Sequence, residues 1–294
     1  MWRFIKIKIR TIITHIMRLQ NDEKYLAYLY SHRVGKKLNW DKPRRFTEKI
    51  NVLKLQNKSD DLYKTYADKF LLRTRLKQLS LDAHLVPLIN HYNDYSLFRA
   101  DLLQKKIPKN TFVKLSNDCG STILYNGCNA ELVLSKIQKS IQNQQKFIHR
   151  TCEYQYQTPM KILVEANLNK GQLYDVKVFV SKGTVMQIML SRGQDLLFCD
   201  GNLKPLNVSL RRSIRGSIHP TMPALPQTEH HKILSTIKII APKFQQFTFC
   251  RLDMVTNVSV PELYINEVTF SPSSGLKCYL PDSYDEQLGA MVAL

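Results

Sequence analysis

At 294 residues the chain is long enough for one large domain or two small ones with a full core. Its 10 glycines and 12 prolines exclude collagen-like and low-complexity architectures, and 44% hydrophobic with 23% charged residues is a globular balance. Lys and Arg outnumber Asp and Glu by 43 to 24, a formal +19, which favours anionic partners (nucleotide phosphates, acidic glycans, nucleic acid or an anionic membrane face) unless the excess is scattered and solvated.

The first twenty residues carry Arg3, Lys6, Lys8, Arg10 and Arg18 and no acidic residue. On a helix, Ile5, Ile9, Ile12, Ile16 and Leu19 form one stripe, which suits a helix lying on an anionic membrane and equally a first helix packed on the domain. The apolar run is too short and interrupted to span a bilayer, and no small-residue cleavage site follows it.

After a break at Asp41-Lys42-Pro43, Thr47 reads as the N-cap of a helix through Ile50, Leu53 and Leu55. A second helix is predicted from about Leu62 to Leu79, with Leu62, Tyr66, Phe70 and Leu71 on one face. Leu85 to Ile89 is a short apolar run. Thr111 to Leu115 reads as a strand with Lys114 near its end, followed by the turn-rich Ser116-Asn117-Asp118-Cys119-Gly120-Ser121 and a second short run at Thr122 to Tyr125. Residues 130–150 are helical in pattern. Strands are predicted at Ile162 to Glu165, Tyr174 to Val180 and Val185 to Leu190, the last two as a hairpin turning at Lys182-Gly183. Residues 200–230 read as a loop or lid, Glu229 to Ile240 as a helix, and Phe247 to Val255 and Leu263 to Phe270 as two strands joined near Asn257. The pattern is α+β, without a regular βαβ wind.

Three constellations could carry chemistry. Strand alternation puts Arg251 and Asp253 on one face, and likewise Glu267 and Thr269. Two carboxylates and a hydroxyl on adjacent strands suit Mg²⁺, which prefers hard oxygen ligands and takes few from a protein; an ion pair on a solvent-facing sheet fits the same spacing. Lys114 and the loop after it could hold a phosphate through an ammonium and backbone N–H groups, although a loop with one glycine is also an ordinary turn. Asp175 and Lys177 share a strand face, either as a functional pair or on a solvated side of the sheet.

Several classes are excluded. There is no G-x-x-x-x-G-K-[ST] loop and no G-x-S-x-G elbow. The histidines are dispersed, the adjacent His230 and His231 point apart, and the six cysteines form no zinc-ligand spacing, so the cysteines read as reduced thiols of a cytoplasmic protein. No RNP-type strand, zinc finger or helix-turn-helix is present, and no nucleic-acid partner is expected.

Taken in order, Arg45-Phe46-Thr47-Glu48-Lys49-Ile50, Asp61-Leu62-Tyr63, Asp68-Lys69 with Arg73, Leu85-Val86-Pro87-Leu88, Phe112-Val113-Lys114 with Asp118-Cys119-Gly120-Ser121, Val164-Glu165, Asp175-Val176-Lys177, Phe198-Cys199-Asp200, Arg251-Leu252-Asp253, Glu267-Val268-Thr269-Phe270-Ser271-Pro272, Ser274-Gly275 and Asp285 to Gly289 resemble the TupA-like ATP-grasp family, named for teichuronopeptide biosynthesis. Each piece is weak alone; their order and spacing from about residue 43 onward are specific. The resemblance implies an ATP-grasp fold, two α+β subdomains clasping ATP, with divisions at 1–60 (a basic helical segment), 61–160 (the first subdomain) and 161–294 (the second, with the metal site).

It also implies roles. Lys69 and Lys114 contact ATP phosphates, and Asn117, Asp118, Cys119, Gly120 and Ser121 cover them. The backbone from Val164 through Glu165 and Asn167 meets adenine, with Asp175 nearby; Lys177 and Arg251 steady the transferred phosphoryl group; Asp253, Glu267 and Thr269 hold Mg²⁺. Ala166 stands where the family often has a second Glu. The implied reaction is ATP-dependent amide formation between an amino acid or other amine and a uronic-acid carboxylate of a capsule, O-antigen or exopolysaccharide precursor, through an acyl phosphate. The sugar precursor can be lipid-linked, which gives residues 1–20 a use at the inner membrane face, and the 202–227 stretch with Arg211, Arg212 and Arg215 is the expected acceptor contact. A kinase- or glycosyltransferase-like enzyme of the same pathway and a non-catalytic polyanion-binding protein are the alternatives.

Overall fold

The computed structural model describes residues 21–147, 154–168, 173–193, 195–213, 216–218, 227–257 and 260–294. The expected membrane contact of residues 1–20 and acceptor contact of Arg211, Arg212 and Arg215 fall on residues or side chains outside that description. Helix α1 (Asp22–Val34) is capped by the Asn21 side chain, which accepts the Lys24 N–H, and stops at Gly35 in the left-handed region.

Helix α2 (Phe46–Gln56) corrects the predicted cap: Arg45, not Thr47, is its N-cap. The Glu48 carboxylate reaches back to accept the N–H groups of Arg44 and Arg45 at 2.9 and 3.0 Å. Thr47 lies inside the first turn, and its N–H and hydroxyl both donate to the buried Asp285 carboxylate, at 3.1 and 2.7 Å. A local rule put the threonine at the cap; a partner far along the chain takes it instead.

Asp285 carries a pH prediction. Burial pushes its carboxyl up to about 6, against the hydrogen bonds from Thr47. A raised folded pKa means that the folded chain holds the proton more tightly, so stability falls as pH climbs from the unfolded carboxylate range through about 6. Wild type should therefore melt higher near about pH 5 than near about pH 7.5, with Asp285→Asn flattening that dependence. Parallel melting curves for the two proteins would show that Asp285 does not titrate in this window.

The predicted helix from Leu62 to Leu79 is two helices, α3 (Asp61–Ala67) and α4 (Lys69–Gln78), divided at Asp68. Asp68 is extended and caps α4: its Oδ1 accepts the N–H groups of Phe70 and Leu71, and its Oδ2 accepts the hydroxyls of Ser116 and Thr158. Lys69 thereby becomes the first residue of a helix anchored to the 116–121 loop, its own N–H donating to the Ser116 carbonyl at 2.8 Å.

Two antiparallel sheets follow. The smaller has strand order β1-β4-β2-β3, from β1 (Leu88–Tyr92), β2 (Thr111–Leu115), β3 (Ile123–Tyr125) and β4 (Ile162–Ala166). Helices α5 (Tyr95–Leu103) and α6 (Ala130–Phe147) cover one face, burying Phe98, Leu102, Val133 and Ile137 against Val113, Leu115, Ile162 and Val164. Alternation sends Lys114, Leu163 and Glu165 to the other face.

The larger sheet has order β11-β10-β5-β6-β7, from β5 (Leu173–Ser181), β6 (Thr184–Arg192), β7 (Asp195–Cys199), β10 (Cys250–Asn257) and β11 (Val260–Thr269). The β5–β6 hairpin turns at Lys182-Gly183 with φ of 47° and 81°, the left-handed pair that a two-residue turn requires. On its back face Val176, Val178, Leu252, Met254, Ile265 and Val268 pack against α3, α4 and α7 (Gln227–Ile240). At one end of its front face Phe179, Phe198 and Phe249 meet Phe46 and Tyr279 in an aromatic cluster, closed by α8 (Asp282–Ala290). The 200–230 stretch is not all loop: β8 (Ser209–Ser213) and β9 (Gly216–Ile218) form a third sheet with β12 (Tyr279–Leu280).

Candidate active site

The remainder of the front face is charged. Asp253 pairs in register with Lys177 on one side and Glu267 on the other, and Arg251 with Phe179 and Thr269. The Arg251 guanidinium grips Asp253 through two contacts of 2.5 Å and reaches the Thr269 hydroxyl at 3.4 Å. Lys177 also lies 3.5 Å from Asp175, whose side chain is half exposed. The shared faces read from strand alternation are those the fold presents.

Residues of α4 and of the smaller sheet close on this row. The Lys69 ammonium is 2.8 Å from the Glu267 carboxylate and donates to the Asp118 carbonyl at 2.6 Å. The Lys114 ammonium, 2% exposed, is 2.6 Å from Glu165 and donates to the Asn266 amide oxygen at 2.6 Å. Arg73 takes the other side of Glu165, at 3.3 Å, and donates to the Val86 carbonyl. Four cations from the sequence reading, Lys69, Lys114, Lys177 and Arg251, thus converge with Asp253 and Glu267 between two sheets.

The charges sort themselves. Burial pushes the Glu267 carboxyl up, but Lys69, with Arg251 and Lys114 behind it, outweighs burial and holds it down at about 2. Asp253 shifts upward: burial dominates, and neighbouring Glu267 adds to that push against Arg251 and Lys177. Burial lowers the Lys114 pKa despite Glu165, with nearby Lys69 adding to the drop. Lys69 shifts up: its burial is outweighed by Glu267, with Cys119 and Asp118 adding to the rise. Both carboxylates sit among largely buried cations instead of forming a solvated surface pair.

Not every predicted residue faces the cluster. Asn117 is spent on structure, its side chain donating to the Thr158 carbonyl and accepting from Gln144, both under 3 Å. Ser121 accepts the Leu115 N–H at 2.9 Å and is buried. Both hold the loop in shape. Asp118 turns its carbonyl to Lys69, and Cys119 is exposed. Gly120, at φ 91° with open space around it, needs its freedom for the turn alone. Val164 is internal, its side chain in the core and its backbone between β1 and β2, whereas Asn167 lies just past the end of β4.

Asn266 was not anticipated. The β10–β11 ladder shifts register between Asp253/Glu267 and Met254/Ile265, leaving Asn266 as the extra residue of a bulge. That irregularity lets Asn266 and Glu267, consecutive in sequence, both meet lysines, Lys114 of the smaller sheet and Lys69 of α4.

A magnesium ion fits this donor set. Among the described residues no group of three His, Cys, Asp or Glu side chains is placed to hold a metal. Two register-paired carboxylates with a hydroxyl beside them leave most of a coordination sphere to phosphate and water, as Mg²⁺ requires.

Lys69 of α4 on Glu267 and Lys114 of the smaller sheet on Asn266 bring cations onto the charged face of the larger sheet, an arrangement suited to a phosphate. A profile of the family described as TupA-like ATPgrasp matches residues 48–293, and the chain belongs to that family. Among solved structures, an L-amino acid ligase from Bacillus licheniformis is similar over 88% of this chain and 57% of its own, at 13% identity and TM-score 0.46. A D-alanine–D-alanine ligase from Helicobacter pylori is similar over 84% and 69%, at 13% identity and TM-score 0.48. A biotin carboxylase from Campylobacter jejuni is similar over 84% and 51%, at 11% identity and TM-score 0.44. The chain spans about half to two thirds of the length of these proteins. No curated protein matches it.

Proposed function

We propose that the chain is an ATP-dependent ligase joining an amine to a carboxylate, acting on a uronic-acid unit of a surface-polysaccharide precursor. The observation that carries the reading is the convergence of Lys69 and Lys114 on Glu267 and Asn266, beside Arg251, Asp253 and Lys177. Phosphoryl transfer needs positioning and charge neutralisation more than covalent help, and a cluster of cations and carboxylates between two sheets supplies both. Lys69 and Lys114 hold phosphate oxygens, with the Asp118 to Gly120 turn over them. Asp253 and Glu267, completed by Thr269, hold Mg²⁺, which would neutralise charge shared between phosphates. Glu165 near the end of β4 and Asn167 just past it border the base, with Asp175 at the outer edge.

In the proposed reaction a substrate carboxylate oxygen attacks the terminal phosphorus of ATP and ADP leaves. An amine then attacks the acyl carbon, phosphate leaves and the amine gives up a proton. Lys177 and Arg251 face the reacting groups from the large sheet and balance the charge that develops on their oxygens. The +19 formal charge supports an anionic acceptor, and the family resemblance supports the polysaccharide setting. We place the enzyme in the cytoplasm, with residues 1–20 at the inner membrane face; among the described residues no helix is long and apolar enough to cross a membrane.

Calorimetry with Mg·ATP tests the reading. Wild type should bind, and Lys114→Ala and Asp253→Ala should each bind at least about a hundred-fold more weakly while remaining folded. A folded wild type that binds no nucleotide but takes up polyanions in a salt-sensitive way overturns it in favour of a non-catalytic anion-binding protein. Turnover of a nucleotide sugar without ATP would move the reaction to glycosyl transfer.

A further inference from the structure

The bulge in β11 puts a side chain where regular pairing would not. Alternation from Glu267 sends residue 266 to the back of the sheet, among the residues packed on α3, α4 and α7. The extra residue resets the phase, so Ile265 stays in that core and Asn266 is turned out beside Glu267. The bulge is also anchored: Ile265 forms a bridge with Leu85, and His84 hydrogen-bonds the Leu263 carbonyl at 2.9 Å. Strand β11 is therefore fixed on both sides at the point where Asn266 leaves it.

We propose that Asn266 is a positioning residue for Lys114, a role that rests on the nucleotide site proposed above. An ammonium has three donors and a flexible four-carbon stem, so one acceptor leaves its direction loose. Lys114 has two: Glu165 on its own sheet and Asn266 on the larger one, each at 2.6 Å. Two acceptors on different sheets fix where the third N–H points. Asn266 is neutral, so it holds the lysine without cancelling the charge a phosphate needs. Because the contact spans the two sheets, it also ties the lysine's position to their spacing.

The test pairs Asn266→Leu with Asn266→Gly, the second because a bulge tolerates glycine if leucine fails to fold. Calorimetry with Mg·ATP should show affinity lower by about ten-fold or more in both, the scale of a hydrogen bond to a charged group. Circular dichroism of the nucleotide-free variants should stay that of wild type, although loss of an acceptor from a buried ammonium lowers the melting temperature somewhat. In a Lys114→Met background the same substitutions should cost no further affinity, because Asn266 acts through that ammonium. Unchanged affinity, or losses that multiply with Lys114→Met, would overturn the role. A readout independent of nucleotide separates this from the nucleotide site itself: acetic anhydride labelling of Lys114, located by mass spectrometry, should rise several-fold when Asn266 is removed. A wild type that binds no Mg·ATP while Lys114 labelling still rises refutes the nucleotide site and keeps the positioning contact; labelling that does not change refutes the contact.

Discussion

Asp253→Asn and Glu267→Gln should each reduce magnesium-dependent ATP turnover by at least about a hundred-fold, the scale of removing one preorganised electrostatic contact. The amides keep the shape and an acceptor oxygen but lose the charge that attracts a divalent ion. Both should also cost stability. Glu267 is the carboxylate held at about 2, ionised at any working pH, and its loss leaves Lys69 buried at 6% exposure without its counter-charge. Removing one partner of a buried pair is costly, so Glu267→Gln should also lower the melting temperature. Asp253→Asn likewise takes the counter-charge from the Arg251 guanidinium, which grips it through two largely buried contacts of 2.5 Å, so its melting temperature should fall as well. Raising the Mg²⁺ concentration should partly restore Asp253→Asn. Full turnover by either folded variant would remove these residues from the metal site.

The same pair shows what the amino-acid sequence can reveal. Arg251 with Asp253 and Glu267 with Thr269 were legible because strand alternation is a strict local rule, and both strands are regular at those positions. Asn266 was invisible for the same reason: alternation assigns it to the core, and only the register shift against Met254 reverses that. Bulges leave little trace in composition. Asp68 was read as part of a continuous helix because Leu62, Tyr66, Phe70 and Leu71 keep a helical period. Its break is enforced by the hydroxyls of Ser116 and Thr158, which approach from distant parts of the chain.

The opposite error occurred at residues 200–230, where serine, arginine and proline suggested a loop. β8 pairs there with β12, a two-residue strand at the other end of the domain, so its pairing signal lies far outside the local window. Order of motifs carried the family assignment better than any single motif did. Lys69, Lys114, Asp253 and Glu267 lie in different elements, and nothing in one segment announces the others; the two sheets make them neighbours.

Gly289→Ala should destabilise the fold by about 3 kcal/mol or more, the upper end of what overpacking costs. Gly289 lies in α8, where that helix crosses the start of α2. A Cβ there would sit 2.1 Å from the Arg44 carbonyl oxygen and 2.7 Å from the Phe46 nitrogen. Both obstacles are backbone, so no rotamer change relieves the clash; one of the two helices must move. Moving α8 would strain the buried Asp285–Thr47 contacts and the links from Arg45 to Asp282 and Glu286. It would also disturb the aromatic cluster in which Phe46 and Leu288 pack against Phe179 and Phe249, the floor on which Arg251 rests. Catalytic geometry and stability should therefore fail together. Gly35→Ala is the control: Gly35 has a φ of 78° but open space for a Cβ, so it should cost only the conformational penalty of about 1 kcal/mol. Chemical denaturation of the two variants separates the mechanisms. Equal, small losses would mean that α8 can shift away from α2 without consequence, and the close approach of these helices would no longer be what seats the C-terminal helix under the site.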